Sequence, residues 1–417
     1  MRAVLVAALV WTSPAAAAEA RVAPGALAAA VSTAAAGDVL VLVPGVHAGG
    51  VVLDKPGLVL QGEPGAVPGA VPGAVVDGGG TGTVIRITAP DVTVRGLVVR
   101  NSGIRQEDID AGIYADRGAD RAVIEDNRVE NSLFGIALRG PRAAVARRNV
   151  VVGRTDLRTN DRGDAFSVWN SPDSRVEGSR ASGGRDGIRC TASRGNVFSD
   201  NQFQGVRFGI HYMWTDGGTV TGNRSLGNDL GFALMYSHGI VARDNRSAGD
   251  RDYGLLLNTA DRSLFEGNVA EGAGKCVFIY SATNNRFVGN RFQGCDIGVH
   301  FTAGSEGNRF SGNAFVANRT QVMYVGTRAL DWSENGRGNY WSDNPAFDLD
   351  GDGIADSAYR PNDVVDRIVW AVPAAKLLLN SPAVAVVRYA QNQFPAVTPG
   401  GVVDSAPLMR PPGEAAP

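Results

Sequence analysis

The chain has 417 residues, and its 40 Lys plus Arg nearly balance 42 Asp plus Glu. That balance provides neither a broad basic field for nucleic acid nor an acidic tail, so a nucleic-acid role is set aside. Three cysteines, Cys190, Cys276 and Cys295, are too few for a disulfide framework, leaving at most one bridge and one spare thiol.

At the start, Arg2, an apolar run from Ala3 to Trp11 and the small residues Ala16-Ala17-Ala18 have the three parts of a secretory signal. Export to the periplasm with cleavage near Ala18 is expected, with residues 1–18 removed. The apolar run is too short to span a bilayer, and no later stretch reaches about 18 uncharged apolar residues, so no transmembrane span is expected.

After the signal, Pro24 to Ala36 reads as an Ala-rich cap helix. Strands follow at Val39–Val43, Val51–Leu53 and Leu58–Leu60. The tandem Gly65-Ala-Val-Pro, Gly69-Ala-Val-Pro reads as a surface loop expansion.

A fixed period then governs the chain. Asn127, Asn149, Asn201, Asn223, Asn245, Asn268, Asn290 and Asn313 recur at steps of 22 or 23, apart from one double rung. An eight-residue insertion around Arg154 to Asp161 accounts for that gap. A second marker keeps step at Gly112, Gly135, Ala165, Gly187, Gly209, Gly231, Gly254, Cys276, Gly298 and Gln321. Each begins a short strand such as Gly209-Ile210-His211-Tyr212-Met213.

Short β-branched and aromatic runs broken by Gly, Asn and Asp exclude a helical solenoid, which needs about 10–12 residues of 3.6-residue periodicity per repeat. The expected fold is all-β, a right-handed parallel β-helix over residues 19–326 including its N-terminal cap, with one coil per repeat. Asn at a repeated turn tolerates left-handed geometry and bonds to its counterpart in the next coil, so the Asn column reads as a structural ladder. Three residues before the Asn, Phe198, Val220, Ala242, Phe265, Phe287 and Phe310 form an inward row.

Within the marked strands, Ile188, Ile210, Phe232, Leu255, Val277 and Val299 face inward, with Cys190, Tyr212, Leu234, Leu257, Ile279 and Phe301. The outward columns are then Arg189, His211, Ala233, Leu256, Phe278, His300 and Met323, beside Trp169, Met213, Met235, Asn258, Tyr280 and Thr302. So soft and aromatic a strip on an outer face is expected to contact a partner or ligand, unless loops or the C-terminal segment cover it.

Met213 and Met235 fall about 5 Å apart on adjacent strands, with His211 about 7 Å along one of them. Thioether and imidazole at that spacing suit Cu(I), and interface packing is the bland alternative. Arg185, Arg207, Asp229, Asp252 and Asp296, two residues before the marker, read as a salt-bridged edge. No hydrolase constellation of paired carboxylates stands out. Cys190 reads as a small core residue, and a Cys276–Cys295 bridge requires favourable turn geometry.

Past the coils, residues 327–363 form a Trp- and Asp-rich region. Asp348-Leu-Asp350-Gly-Asp352-Gly353-Ile354-Ala-Asp356 places carboxylates at positions 1, 3, 5 and 9 with Gly at 6, the pattern of a structural Ca²⁺ loop whose position 7 offers the Ile354 carbonyl. Position 12 is Tyr359, so one ligand must come from elsewhere or from water. Residues 364–417, with an apolar stretch from Val364 to Ala390, read as an end cap, a docking segment, or both.

Several of these runs together resemble the NosD family of periplasmic accessory proteins in nitrous-oxide reductase maturation. They are Val206-Arg-Phe-Gly-Ile-His211-Tyr-Met213, Ala233-Leu-Met235-Tyr-Ser, Lys275-Cys276-Val-Phe-Ile-Tyr280, Gly298-Val-His300-Phe and Gly338-Asn-Tyr-Trp-Ser-Asp-Asn-Pro-Ala-Phe-Asp348. The resemblance implies an ABC transporter membrane subunit, the reductase and a copper-delivery protein as partners, with copper-sulfide cluster supply as the purpose. It implies a non-enzymatic scaffold and gives the outward His and Met strip a reason to exist. Two other readings remain: a polysaccharide-binding protein, lyase or hydrolase of the β-helix type, and a docking scaffold that never touches metal.

Overall fold

The computed structural model describes residues 17–63, 73–326, 328–362, 365–366, 368, 372–378, 381–393 and 401–413. Most of the predicted signal and the tandem Gly-Ala-Val-Pro segment lie outside these residues. The described chain winds as a parallel β-solenoid with three faces, two sheets of 13 strands and one of 12, in which each strand pairs with its counterpart one coil away.

Amide-to-amide bonding sustains the Asn column. Asn223 donates its backbone N–H and its side-chain Nδ2 to Asn245 Oδ1, both at 3.0 Å, and Asn245 repeats the pattern with Asn268 at 3.0 and 2.9 Å. The double rung is bridged by Ser179, whose Oγ accepts from Asn149 N and whose own N–H donates to Asn201. Each buried turn thus satisfies donors that would otherwise cost about 1–3 kcal/mol apiece.

Aromatic stacking runs beside this ladder. The Phe265 and Phe287 ring centroids lie 4.7 Å apart, Phe287 and Phe310 4.3 Å, and Trp332 closes the stack at 4.0 Å from Phe310. Two residues after the ladder Asn runs a second inward row, Phe203, Ser225, Ser247, Ala270, Phe292 and Phe315, ending on Trp341 at 4.1 Å. Where both rows thin, at Val220 and Ala242 beside Ser247 and Ala270, an interior cavity of about 30 Å³ remains.

Both expected inward columns are buried. At the N-terminal end the helix is Leu27–Thr33, shorter than Pro24 to Ala36, and it seats Leu27 and Val31 on the core. The strand Glu19–Val22, absent from the sequence reading, pairs with Val39–Leu42 and forms the edge of one face. Cys276 and Cys295 are joined by a disulfide with Cα atoms 5.7 Å apart, and Cys190 is a buried thiol that burial pushes up to about 12.

The far end is closed by the C-terminal segment. Val402–Val403 pairs with Leu330–Asp331, and Asp404 inserts beneath the final rung. Its Oδ2 accepts from Asn339 N at 2.7 Å and Trp341 Nε1 at 2.8 Å. Gly338 is obligatory there, because a Cβ would meet Asp404 Oδ1 at 1.7 Å. The span that was open to cap or dock therefore divides: 401–413 packs on the last coil, whereas Leu377, Leu378, Val386 and Tyr389 of the helical segments Pro373–Leu378 and Pro382–Gln393 are exposed.

Candidate functional site

The outward columns have the predicted register on the 12-stranded face. Arg189, His211, Ala233, Leu256, Phe278, His300 and Met323 are successive partners, and Met213 pairs directly with Met235, followed by Asn258 and Tyr280. Their exposure differs from the expectation. Ala233 is 0% exposed, Leu256 8% and His211 6%, so the middle of the strip is buried.

A third column explains the burial. One residue before the marker, Asp186, Phe208, Leu230, Tyr253, Lys275 and Ile297 also pair coil to coil. Leu230, Ala233 and Leu256 form a cluster against which Phe208, Met235, Tyr253 and Phe278 pack. Sequence parity missed this column because the marker and the residue after it both face inward: a Cβ on Gly187 would meet the inward Phe203 at 2.3 Å, and Ile188 is in the core. Burying Leu256 on this outer face is worth about 1.5–3 kcal/mol.

Towards the N-terminal coils the same columns become polar. Asp164 and Asp186 are fully buried carboxylates on adjacent coils, paired respectively with Arg185 at 3.0 Å and Arg207 at 2.8 Å. His211 Nδ1 lies 3.1 Å from Asp186 Oδ2, the carboxylate fixing Nδ1 as the donor, while the ring meets Phe208 edge-on at 4.8 Å. His211 Nε2 is buried with no hydrogen-bond partner. Burial and the neighbouring Asp186 push the Asp164 carboxyl up to about 6. Burial opposes ionisation of Asp186 as well, yet the bonds from His211 and Arg207 outweigh it and hold that carboxyl below its ordinary range.

The eight-residue insertion walls this end of the strip. Leu157, with Ile109 and Tyr114, packs on Ala111, Leu133, Phe134 and Ala137, and the turn Thr159–Asp161 is tied down by Gln106 Nε2 donating to the Asp161 carbonyl at 2.7 Å. The salt-bridged edge exists with partly different partners from those the sequence suggested: Arg251 reaches Asp229 and Asp252, and Arg319 reaches Asp296.

The C-terminal end of the strip is different again. His300 sits between Phe278, 4.9 Å away, and its register partner Met323. Burial, helped by Lys275, draws its imidazole down to about 4, so the ring is neutral at neutral pH. Lys275 in turn lies over the rings of Phe278 and Tyr253 at 4.5 and 5.0 Å. Trp169 and Tyr280 are 40% and 50% exposed, whereas Arg189, Met213, Asn258 and Thr302 are half-buried.

In the acidic loop, ligand atoms of Asp348, Asp350 and Asp352 all lie within 4.8 Å of one another. Asp348 accepts from Gly351 N and Gly353 N, and these backbone donors, Gly353 first, hold its carboxyl below the usual range. Asp356 does not join the three: its Oδ2 takes the Leu349 N–H at 2.7 Å. Ile354 bridges to Leu408, so the capping tail supports the loop.

A family described as "Periplasmic copper-binding protein (NosD)" matches residues 147–346. The "Probable ABC transporter binding protein NosD" of Pseudomonas aeruginosa is 41% identical over 385 residues, covering 89% of this chain and 88% of its own. The chain belongs to the NosD family. A Stutzerimonas stutzeri protein with the same description is 38% identical, over 89% of this chain and 86% of that one.

Solved structures share the coil. The A-module of an Azotobacter vinelandii mannuronan C-5 epimerase superposes with a TM-score of 0.58 at 16% identity, over 70% of this chain and 87% of that one. A mannuronic-acid-specific family 6 polysaccharide lyase from human gut microbiota reaches 0.53 at 14% identity, over 78% and 86%. At such identities the likeness is one of fold. Among the described residues no helix is long and apolar enough to cross a membrane.

Proposed function

We propose that this chain is a periplasmic, non-enzymatic scaffold that works with an ABC transporter in maturing the copper site of nitrous-oxide reductase, and that it holds Cu(I) as cargo on its outer strip. One observation carries the copper reading. Met213 and Met235 are half-buried register partners, and His211, two residues along the same strand, has Nδ1 held by Asp186 while Nε2 lacks a partner. A carboxylate that fixes the far nitrogen of an imidazole is the usual support of a metal-binding histidine, and thioethers with imidazole suit Cu(I). Nε2 is covered, so loading requires the ring to move out from its edge contact with Phe208.

The family names support copper and a transporter; the reductase and a copper-delivery protein as partners, and periplasmic export by cleavage near Ala18, belong to this reading. A structural Ca²⁺ held by Asp348, Asp350 and Asp352, with the Ile354 carbonyl and with Asp356 reaching it through water, is part of the same proposal. The three close carboxylates fit that hard cation. The exposed side chains of Leu377, Leu378, Val386 and Tyr389 are the docking segment for the membrane partner in this scheme.

The test is an anaerobic Cu(I) titration of mature protein against a chromophoric competitor, beside His211→Ala/Met213→Leu/Met235→Leu. One-to-one uptake that the triple variant loses is expected. Absence of competition in both proteins sinks copper binding and leaves a docking scaffold. A polysaccharide lyase or hydrolase is the second reading, its one geometric support being the carboxylates of Asp164 and Asp186 on adjacent coils of the outer face. Turnover of a uronate polymer would establish it.

A further inference from the structure

The polar nest at the N-terminal end of the strip holds more positive charge than its carboxylates neutralise. Arg185 is paired with Asp164 and Arg207 with Asp186. Arg139 and Arg189 share the nest: Asp164 feels Arg189, and Arg139 feels Asp164, Arg189 and Tyr114. Among the described residues no carboxylate forms an ion pair or hydrogen bond with either guanidinium. Four arginines against two acids leave two cations over, both half-buried.

That surplus is costly unless something answers it. A guanidinium keeps its charge at every accessible pH and carries five donors in a planar fork that matches a carboxylate. Withdrawn from water without a partner, it loses solvation that protein dipoles replace only in part. Burial accordingly lowers the Arg139 pKa, the direction expected of a cation short of a counter-ion.

The surroundings say what shape the counter-ion has. Arg139 pairs in register with Trp169 and lies 5.6 Å over its ring, and the indole remains 40% exposed. Ser167, on the same strand as Trp169, is the register partner of Arg189, so indole and guanidinium lie on adjacent strands of one face. A flat apolar ring beside two guanidiniums that have no carboxylate partner fits a ligand that joins a carboxylate to a ring-sized apolar face.

We propose that Arg139, Arg189 and Trp169 form a binding subsite for a carboxylated sugar ring, a hexuronate, on the outer face of this coil. The guanidiniums take the carboxylate and the indole takes the pyranose face. Nothing in this subsite uses Met213, Met235 or a bound metal, so it stands apart from the copper reading.

The experiment uses mature protein freed of copper with a chelator. Saturation-transfer difference NMR and calorimetry are run with galacturonate, its trisaccharide, galactose, acetate and sulfate. Galacturonate should bind at millimolar level and the trisaccharide at least as tightly, with galactose silent. Arg139→Gln and Arg189→Gln should each weaken binding at least tenfold, with unchanged circular dichroism and melting. Trp169→Ala should weaken galacturonate and leave acetate unaffected. Equal binding of acetate, sulfate and galacturonate would reduce the site to an anion hole and overturn the sugar assignment. No binding of any probe, or binding that survives Arg139→Gln/Arg189→Gln, overturns the subsite altogether.

Discussion

The outer face of the 12-stranded sheet presents one backbone address with two chemistries. Near Asp164, Asp186 and His211 it holds two buried carboxylates, each paired with an arginine, and two further arginines with no carboxylate of their own among the described residues. A few coils further on, at Leu230, Ala233 and Leu256, the same columns hold a compact apolar cluster. The parallel ladder fixes where a side chain points and says nothing of what it is. Function on a solenoid can therefore be written coil by coil, with little effect on neighbours beyond the adjacent rung.

The sharpest way to break the contrast is to remove one partner from each region. Asp186→Ala strands Arg207 and His211 beneath Phe208, and a loss of about 3–5 kcal/mol is expected in denaturant unfolding. Leu256→Ala leaves a gap that half-buried neighbours can partly fill, so about 2 kcal/mol is expected. A larger loss from Leu256→Ala than from Asp186→Ala would show that the apolar cluster, not the ion nest, holds this face.

Proton linkage separates the two ends with a smaller effect. Asp164 titrates near 6 when folded against about 3.9 unfolded. Between those values the native state binds more protons, so this group's stabilisation falls as pH rises. His300 titrates near 4 when folded against about 6.5 unfolded. There the unfolded chain binds more protons, and stability rises with pH. Each slope is at most about 1.4 kcal/mol per pH unit, and less for the half-exposed His300. Unfolding free energies between pH 4 and 6.5 should steepen upward in Asp164→Asn and flatten in His300→Phe. Identical profiles in both variants would refute the assignment.

Much of this was legible in the sequence because the interior is periodic. Asn223 and its counterparts announced the ladder, and the alternation from Ile210 to Tyr212 announced the inside. A further signal went unread: Phe203, Phe292 and Phe315 stand two residues past their ladder Asn, a second row with the same step. The Asp186–His211 pair was harder to see. Its members lie 25 residues apart, one coil plus three, and the coupling depends on Gly187 and Ile188 both facing inward, which simple alternation does not anticipate. Nor did any spacing relate Asn339 to Asp404, because the two lie 65 residues apart across non-repeating chain.

That last contact has a structural consequence. On either side of the segment 372–393, the backbone of Tyr359 pairs with that of Asp404, and Val402–Val403, next to Asp404, pairs with Leu330–Asp331. Through its carboxylate, Asp404 in turn bonds Asn339, the last member of the amide column along the solenoid axis. The tail that caps the last coil is thus joined by side-chain hydrogen bonds to the column running the length of the solenoid.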